Sequence, residues 1–210
     1  MDPRFDYPLF TPSQVAEYLD VPRSTFRGWV GQPVTHMSEH QGLSIPFVGL
    51  LEGYVVQQLR LAGIPLGEIR DANATLRDEL QVNHPLVWQD LAHNGREILR
   101  RVDKKWERAR DRQEGIAGAI EIGLVREVSW GDDKYPLQLR LRSYGCEVIV
   151  DPRLAGGHPI HSDTGVRVED ILNMAAGDGV AVTSAELGIS TQDIEALQAA
   201  MHRRGTRTAA

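Results

Sequence analysis

The stretch "GGHPIHSD", residues 156–163, places His158, His161 and Asp163 close together, a donor set suited to zinc or manganese. Gly and Pro bound it and no fourth ligand stands nearby, so a surface turn is expected and no metal is assigned. A hydrolase built on the same three side chains is the catalytic rival. His36 and His40 in "HMSEH" share a face only on a helix, which Pro33 and Gly42 oppose. Cys146 is the single cysteine; it permits neither an internal disulfide nor a thiolate cluster and reads as a buried structural thiol. Spacing assembles no Ser-His-Asp set, and no phosphate loop ending in Lys-Ser or Lys-Thr occurs. The expectation is a protein that is not an enzyme and carries no cofactor.

A different chemistry lies in "TPSQVAEYLDVPRSTFRGWV", residues 11–30. Arg23, Ser24, Thr25 and Arg27 crowd one short segment without an acidic neighbour after Asp20. A guanidinium fork matches the two acceptors of guanine, and hydroxyls take phosphate or base contacts. Such side chains read DNA only from a helix that fits the major groove. The flanks supply one: Thr11 or Ser13 caps a first helix, Pro12 is tolerated in its first turn, and Val15, Ala16 and Leu19 form its inward face. Asp20 and Val21 make the turn. Phe26 with Trp29 or Val30 packs a second helix back, leaving the arginines outward. The expected DNA-contacting residues are Thr11, Ser13, Arg23, Ser24, Thr25 and Arg27.

Bulk charge neither helps nor forbids this. The formal net charge is −6, distributed as −5 over residues 1–90, +2 over 91–150 and −3 over 151–210. Nucleic-acid contact must then come from a local patch and depend strongly on salt. No apolar run is long enough to span a bilayer and the N-terminus lacks the order of a secretory signal, so a cytoplasmic protein without membrane contact is expected.

Residues 31–46 are polar and punctuated by Gly and Pro, as in a wing between helices. Phe47, Leu51, Val55 and Leu59 then recur four apart, and Ile69, Ala72, Leu76 and Leu80 follow Pro65 at helical spacing. "NHPLVWQDLAHNG" breaks periodicity and reads as a link. From Arg96 to Arg112 there are eight basic and four acidic residues, with Ile98, Val102, Trp106 and Ala109 as one stripe; helix is the first reading, with "REILRRV" open as a strand. Two or three strands are expected around the "GDDKYP" turn. Helical signals return in "RVEDILNMAAGDG", "VTSAELGIS" and "TQDIEALQAAMHRR", the last capped by Thr191. The fold class is mainly α with a small β element, α+β. It divides into a DNA-binding head (1–82), a linker with a β-containing middle (83–147), a trihelical unit (148–201) and a basic tail (202–210).

Residues 9–80 resemble the winged helix-turn-helix head of MerR-type regulators, through "FTPSQVAEYLDVPRSTFRGWV" and "LRLAGIPLGEIRDA". The wing lacks the basic and aromatic residues usual there, and no long coiled coil follows. The stretch from Val148 to Met201 resembles a small domain with the pattern DPR, G-x-P, a Thr-Gly pair, R-V and a Gly-Asp pair. Asp151, Pro152, Arg153, Gly157, Pro159, Thr164, Gly165, Arg167, Val168, Ile171, Gly177 and Asp178 occupy those positions. Together the two resemble a VapB-type antitoxin of a type II toxin-antitoxin module. The resemblance implies two partners, a PIN-like ribonuclease toxin and operator DNA bound by a homodimer that represses its own operon.

Physical reading agrees that the C-terminal unit binds protein, since Asp193 and Glu195 stand where a recognition helix needs cations. Met174, Leu197 and Met201 are the expected apolar toxin contacts, and the family resemblance implies that Arg203, Arg204 and Arg207 of the tail pair with the carboxylates of a PIN-like nuclease. The alternative is a ligand-responsive MerR-like transcriptional regulator whose C-terminal unit senses a small molecule.

Overall fold

The first helix begins where capping chemistry starts it. The Thr11 hydroxyl accepts the Gln14 N–H at 3.2 Å while the Gln14 side chain accepts the Thr11 N–H at 2.8 Å, a reciprocal capping box. A computed structural model of the chain describes residues 2–31, 35, 44–88, 91–93, 98–102, 105–108, 120–121 and 127–208, with backbone alone at 92–93, 99–102, 105–106, 120–121 and 205–208.

Four helices build the head: α1 (Pro12–Tyr18), α2 (Arg23–Gly31), α3 (Phe47–Leu61) and α4 (Leu66–Leu80). Helix α3 buries Phe47, Val48, Leu50, Leu51, Val55, Val56 and Leu59. Apolar on nearly every side, it forms the centre on which the others pack. Ile69, Ala72 and Leu76 turn α4 onto the same core. The expected wing, with His36 and His40, lies mostly outside the described residues; its closing end pairs Ile45 with Phe10 in an isolated antiparallel bridge.

The middle departs from expectation. The stretch read as a link is core: Pro85, Leu86 and Val87 form a buried 3-10 turn, followed by strand β1 (Leu91–His93). The segment read first as a helix contains β2 (Ile98–Val102) and β3 (Lys105–Arg108), and β4 (Ile120–Glu121) completes an antiparallel sheet in the order β3-β2-β1-β4. A stripe at intervals of four is ambiguous by nature, because four is an even number and residues 98 and 102 share one face of a strand as well as one face of a helix.

A second antiparallel sheet runs β5 (Val128–Trp130), β6 (Pro136–Arg140), β7 (Val148–Val150) and β8 (Ile160–His161) in sequence order. The "GDDKYP" turn joins β5 to β6, closed by the Gly131 N–H to the Tyr135 carbonyl at 2.8 Å. Because Leu139 pairs with Val150, the sheet ties the middle directly to the DPR stretch. Three helices follow, α5 (Val168–Asp178), α6 (Val180–Leu187) and α7 (Thr191–Thr208). The cap of α7 is Ser190 rather than Thr191: its hydroxyl accepts the Asp193 N–H at 3.0 Å and donates to the Asp193 carboxylate at 2.7 Å. The class is α+β, and buried apolar side chains run as one cluster from Phe10 to Ala200.

Candidate nucleic-acid interface

The chain reverses between α1 and α2 through Asp20, whose φ is 54°, a left-handed conformation that Asp tolerates better than most residues. The Asp20 N–H bonds the Glu17 carbonyl at 3.0 Å and the Val21 N–H bonds the Ala16 carbonyl at 2.9 Å. Side chains from elsewhere satisfy the last carbonyls of α1: the Gln57 amide donates to Leu19 O at 2.7 Å and the Ser143 hydroxyl to Tyr18 O at 3.3 Å. The corner is thus held from two sides.

Helix α2 is oriented by its inner face. Phe26 is fully buried and meets Trp29 edge to face at 6.2 Å. Opposite lies Gly53 of α3, where an added Cβ would stand 2.9 Å from the Phe26 ring and 3.0 Å from the Leu19 side chain. Only glycine admits that approach, which seats α2 at a fixed depth.

Arg23, Ser24, Thr25, Arg27 and Gly28 are all exposed on the other face. Among the described residues neither guanidinium has a carboxylate partner. Ser13 is half-buried at the edge of the same corner. Thr11 is used locally, since its hydroxyl both accepts from and donates to Gln14. Helix α4, the other candidate for a groove, exposes Asp71 and Asp78 beside Arg70 and Arg77, a mixed face that phosphate disfavours. Helix α2 carries no acidic residue at all.

In the C-terminal unit Asp151, Pro152, Gly157, Pro159, Val168 and Ile171 of the family pattern are buried, while Arg153, Thr164, Gly165, Gly177 and Asp178 are exposed. Asp151 accepts from the Arg153 backbone N–H at 2.9 Å and from its guanidinium at 2.9 and 2.6 Å. Burial alone would raise this carboxyl, but those bonds hold it below the usual carboxylate value. Gly157 has φ 78°, and an added Cβ would meet Leu9 at 3.0 Å and Phe10 at 3.2 Å, so this position docks the unit onto the head. The Pro159 carbonyl accepts the Val168 N–H at 3.0 Å, Gly165 turns at φ 70°, and Val168 and Ile171 enter the core.

His161 is buried rather than part of a surface turn, its Nδ1 3.3 Å from the Thr164 hydroxyl and its Nε2 3.7 Å from Asp193. His158 is half-buried and Asp163 exposed. Among the described residues no three His, Cys, Asp or Glu side chains gather around a common cation position. Cys146 is half-buried, and burial pushes its thiol up to about 11, as in an unreactive structural cysteine.

The expected toxin contacts separate into two groups. Met174 and Met201 are half-buried and Arg203 is exposed, with Arg207 on the last turn of α7. Leu197 is fully buried in the chain's own core. Arg204 is also withdrawn: its guanidinium lies 3.9 Å over the Tyr144 ring and donates to the Ser143 hydroxyl at 2.8 Å. Val182 on α6, which the sequence reading did not single out, is 45% exposed. Among the described residues no helix is long and apolar enough to cross a membrane.

A family described as "Putative DNA-binding HTH domain" matches residues 30–73, from the end of α2 into α4. The arginine-bearing turns of α2 precede that match. The chain is 30% identical over 228 aligned positions to "Putative antitoxin VapB45" of Mycobacterium tuberculosis strain H37Rv, covering 91% of this chain and 92% of that protein. The crystal structure of Rv2018 from Mycobacterium tuberculosis superposes with a TM-score of 0.73 at 26% identity, over 93% of this chain and 99% of the other. A likeness of that extent takes in both the outward-facing head and the closed DPR unit, and by it the chain belongs to the VapB-type antitoxins.

Proposed function

We propose that this antitoxin binds operator DNA as a homodimer through α2, represses its own operon, and silences a PIN-like ribonuclease with its C-terminal helices, without catalysis of its own and in the cytoplasm. The observation that carries the DNA half is the exposed row Arg23, Ser24, Thr25 and Arg27 on a helix free of carboxylates. In this reading the two arginines take guanine edges, Ser24 and Thr25 take bases or phosphate, and Ser13 takes phosphate where α1 crosses the backbone. Thr11 contributes by fixing the start of α1. Two heads spaced by about one helical turn of DNA, roughly 34 Å, multiply a modest single-site affinity. An acidic chain is no obstacle, because only the local field at the groove acts at contact range.

Toxin contact is proposed for the exposed or half-buried members of the expected set, Met174, Met201 and Arg203, together with Val182 and, by its place on the last turn of α7, Arg207. Methionine side chains adapt to a partner surface at little strain. The test is coexpression with the neighbouring open reading frames. The expected result is capture of a small acidic nuclease whose RNA cleavage stops at stoichiometric antitoxin, together with a shifted duplex from the upstream DNA. Capture of no protein and no shift with that duplex overturns both halves.

One observation favours the ligand-responsive alternative. A groove of about 650 Å³ runs between α1, α5 and α7, lined by Glu17, Tyr18, Arg167, Leu172, Gln198 and Met201 among others, a size that suits a small molecule. A metabolite released on denaturation, with no protein partner, selects it.

A further inference from the structure

We propose that the cavity between the end of α1, the middle of α3 and the turn after β6 is a binding site for a small organic cation that presents N–H donors, an alkylammonium or alkylguanidinium, held by Glu127. It is separate from the groove between α1, α5 and α7, with which it shares only Tyr18, and it does not depend on α2 binding DNA.

Three parts of the chain build the wall. Tyr18 and Asp20 come from the α1–α2 corner, Tyr54 and Gln57 from α3, and Arg142 and Ser143 from the 3-10 turn (Arg142–Tyr144) that follows β6. Glu127, immediately before β5, completes it. The cavity measures about 400 Å³, a size found among small-molecule sites.

Hydrogen bonding selects the occupant. Donors of the wall are already engaged: the Gln57 amide on Leu19 O at 2.7 Å, the Ser143 hydroxyl on Tyr18 O at 3.3 Å, and the Arg142 guanidinium on Oε1 of Glu127. One acceptor is left over. Oε2 of Glu127 is buried and receives no hydrogen bond from any described residue, on a side chain only 4% exposed. A carboxylate oxygen withdrawn from water without a donor is costly, and a ligand N–H removes that cost.

Charge narrows the class. Among the lining residues Glu127 and Asp20 are acidic and Arg142 alone is basic, a surplus of negative charge that favours a cation and opposes an anion. Burial, with the Glu127 charge beside it, pushes the Tyr54 phenol up to about 12, so Tyr54 stays neutral and leaves that balance unchanged. A bare metal ion fits poorly, because calcium takes about six to eight oxygens and among the described residues no three His, Cys, Asp or Glu side chains gather around one point. Leu19 and Leu141 in the same wall suit the alkyl stem of an organic cation. Arg142 closes the site from outside: its side chain is 69% exposed, so an arriving cation reaches Oε2 by displacing the guanidinium into water, where an exposed ion pair is given up at small cost.

The experiment titrates the full chain with butylguanidinium, butylammonium, butyltrimethylammonium and butyrate, followed by calorimetry and by melting temperature. The first two should bind and raise the melting temperature with concentration, as ligands of the folded state do. Butyltrimethylammonium, which has the charge but no N–H, should bind about tenfold more weakly or worse, and butyrate should not bind. Glu127→Gln keeps the shape of the side chain and removes its charge; it should weaken butylguanidinium by a similar factor. Gln58→Trp, which fills the cavity from α3 and leaves the Glu127–Arg142 pair in place, should abolish binding, and it keeps the test standing if Glu127→Gln does not fold.

Equal affinity for butyltrimethylammonium overturns the proposal, since charge alone then attracts the probe. Binding that survives either variant overturns it by placing the probe elsewhere, and failure of both N–H cations to bind the unmodified chain overturns it outright. Each of these results leaves the reading of α2 untouched, because none of the measurements uses DNA.

Discussion

The α1–α2 corner and the DPR unit are both recognisable from short strings of residues, yet they use those residues in opposite directions. In the corner, Arg23, Ser24, Thr25 and Arg27 face solvent and the scaffold beneath them is ordinary packing by Phe26, Trp29 and Gly53. In the DPR unit Asp151, Gly157, Pro159 and Val168 are buried in turns and docking contacts of the monomer itself. A string that identifies a family can therefore mark how a domain closes rather than what it binds. Val182, Met174 and Met201, the toxin contacts proposed for this unit, all lie outside the pattern.

Removing the scaffold of the first region has the largest expected effect. Phe26→Ala should cost about 3–5 kcal/mol of stability by leaving a cavity beneath α2, read as a lowered denaturant midpoint, with DNA binding falling in parallel. Arg23→Ala and Arg27→Ala should each weaken specific DNA binding by about 1–3 kcal/mol at an unchanged melting temperature. Binding and folding part company most cleanly at these two positions, and a fall in melting temperature for either arginine variant would erase the contrast with the DPR unit.

In the second region the order reverses. Asp151→Ala should lower stability by about 1–3 kcal/mol, since the buried turn loses its acceptor, while the intrinsic affinity of the folded protein for DNA stays the same. Its pH dependence has a definite sign. A carboxyl held below its unfolded value stabilises above that value, near pH 4, and loses the contribution as pH falls through the folded value. Asp2 and Asp133, lowered chiefly by hydrogen bonds from Arg4, act in the same window. Asp151→Asn should therefore flatten part of the acid limb of stability against pH and leave the rest to the Arg4 cluster.

Two smaller effects complete the set. Thr11→Ala should cost about 1 kcal/mol by removing the cap and affect DNA binding only through stability. Cys146 should react with a disulfide reagent at pH 8 far more slowly than a free thiol does, in keeping with its raised pKa; rapid reaction in the folded protein would show the thiol to be poised for chemistry.

The helices of the head were legible from local start signals and repeating apolar stripes: Thr11 or Ser13 before α1, Pro65 before α4, and Phe47 to Leu59 at intervals of four. The first sheet was not, because Ile98 and Val102 satisfy strand and helix alike and the choice is made by pairing with Leu91–His93. The outward-facing arginines of α2 were legible for a local reason too: Phe26 and Trp29 define which side of the helix is buried, and the remaining side follows.

Short-range chemistry thus determined the helices of the head, the capped corner, the outward row on α2 and the DPR turn, since each depends on contacts between residues a few positions apart. Tertiary structure alone decided that residues 98–102 and 105–108 pair as strands, that His161 and Leu197 are internal, and that Arg204 stacks on Tyr144 and brings the last helix to the first. Those outcomes depend on partners tens of residues away, whose approach is set by the packing of the whole core and leaves no periodic trace in the local sequence.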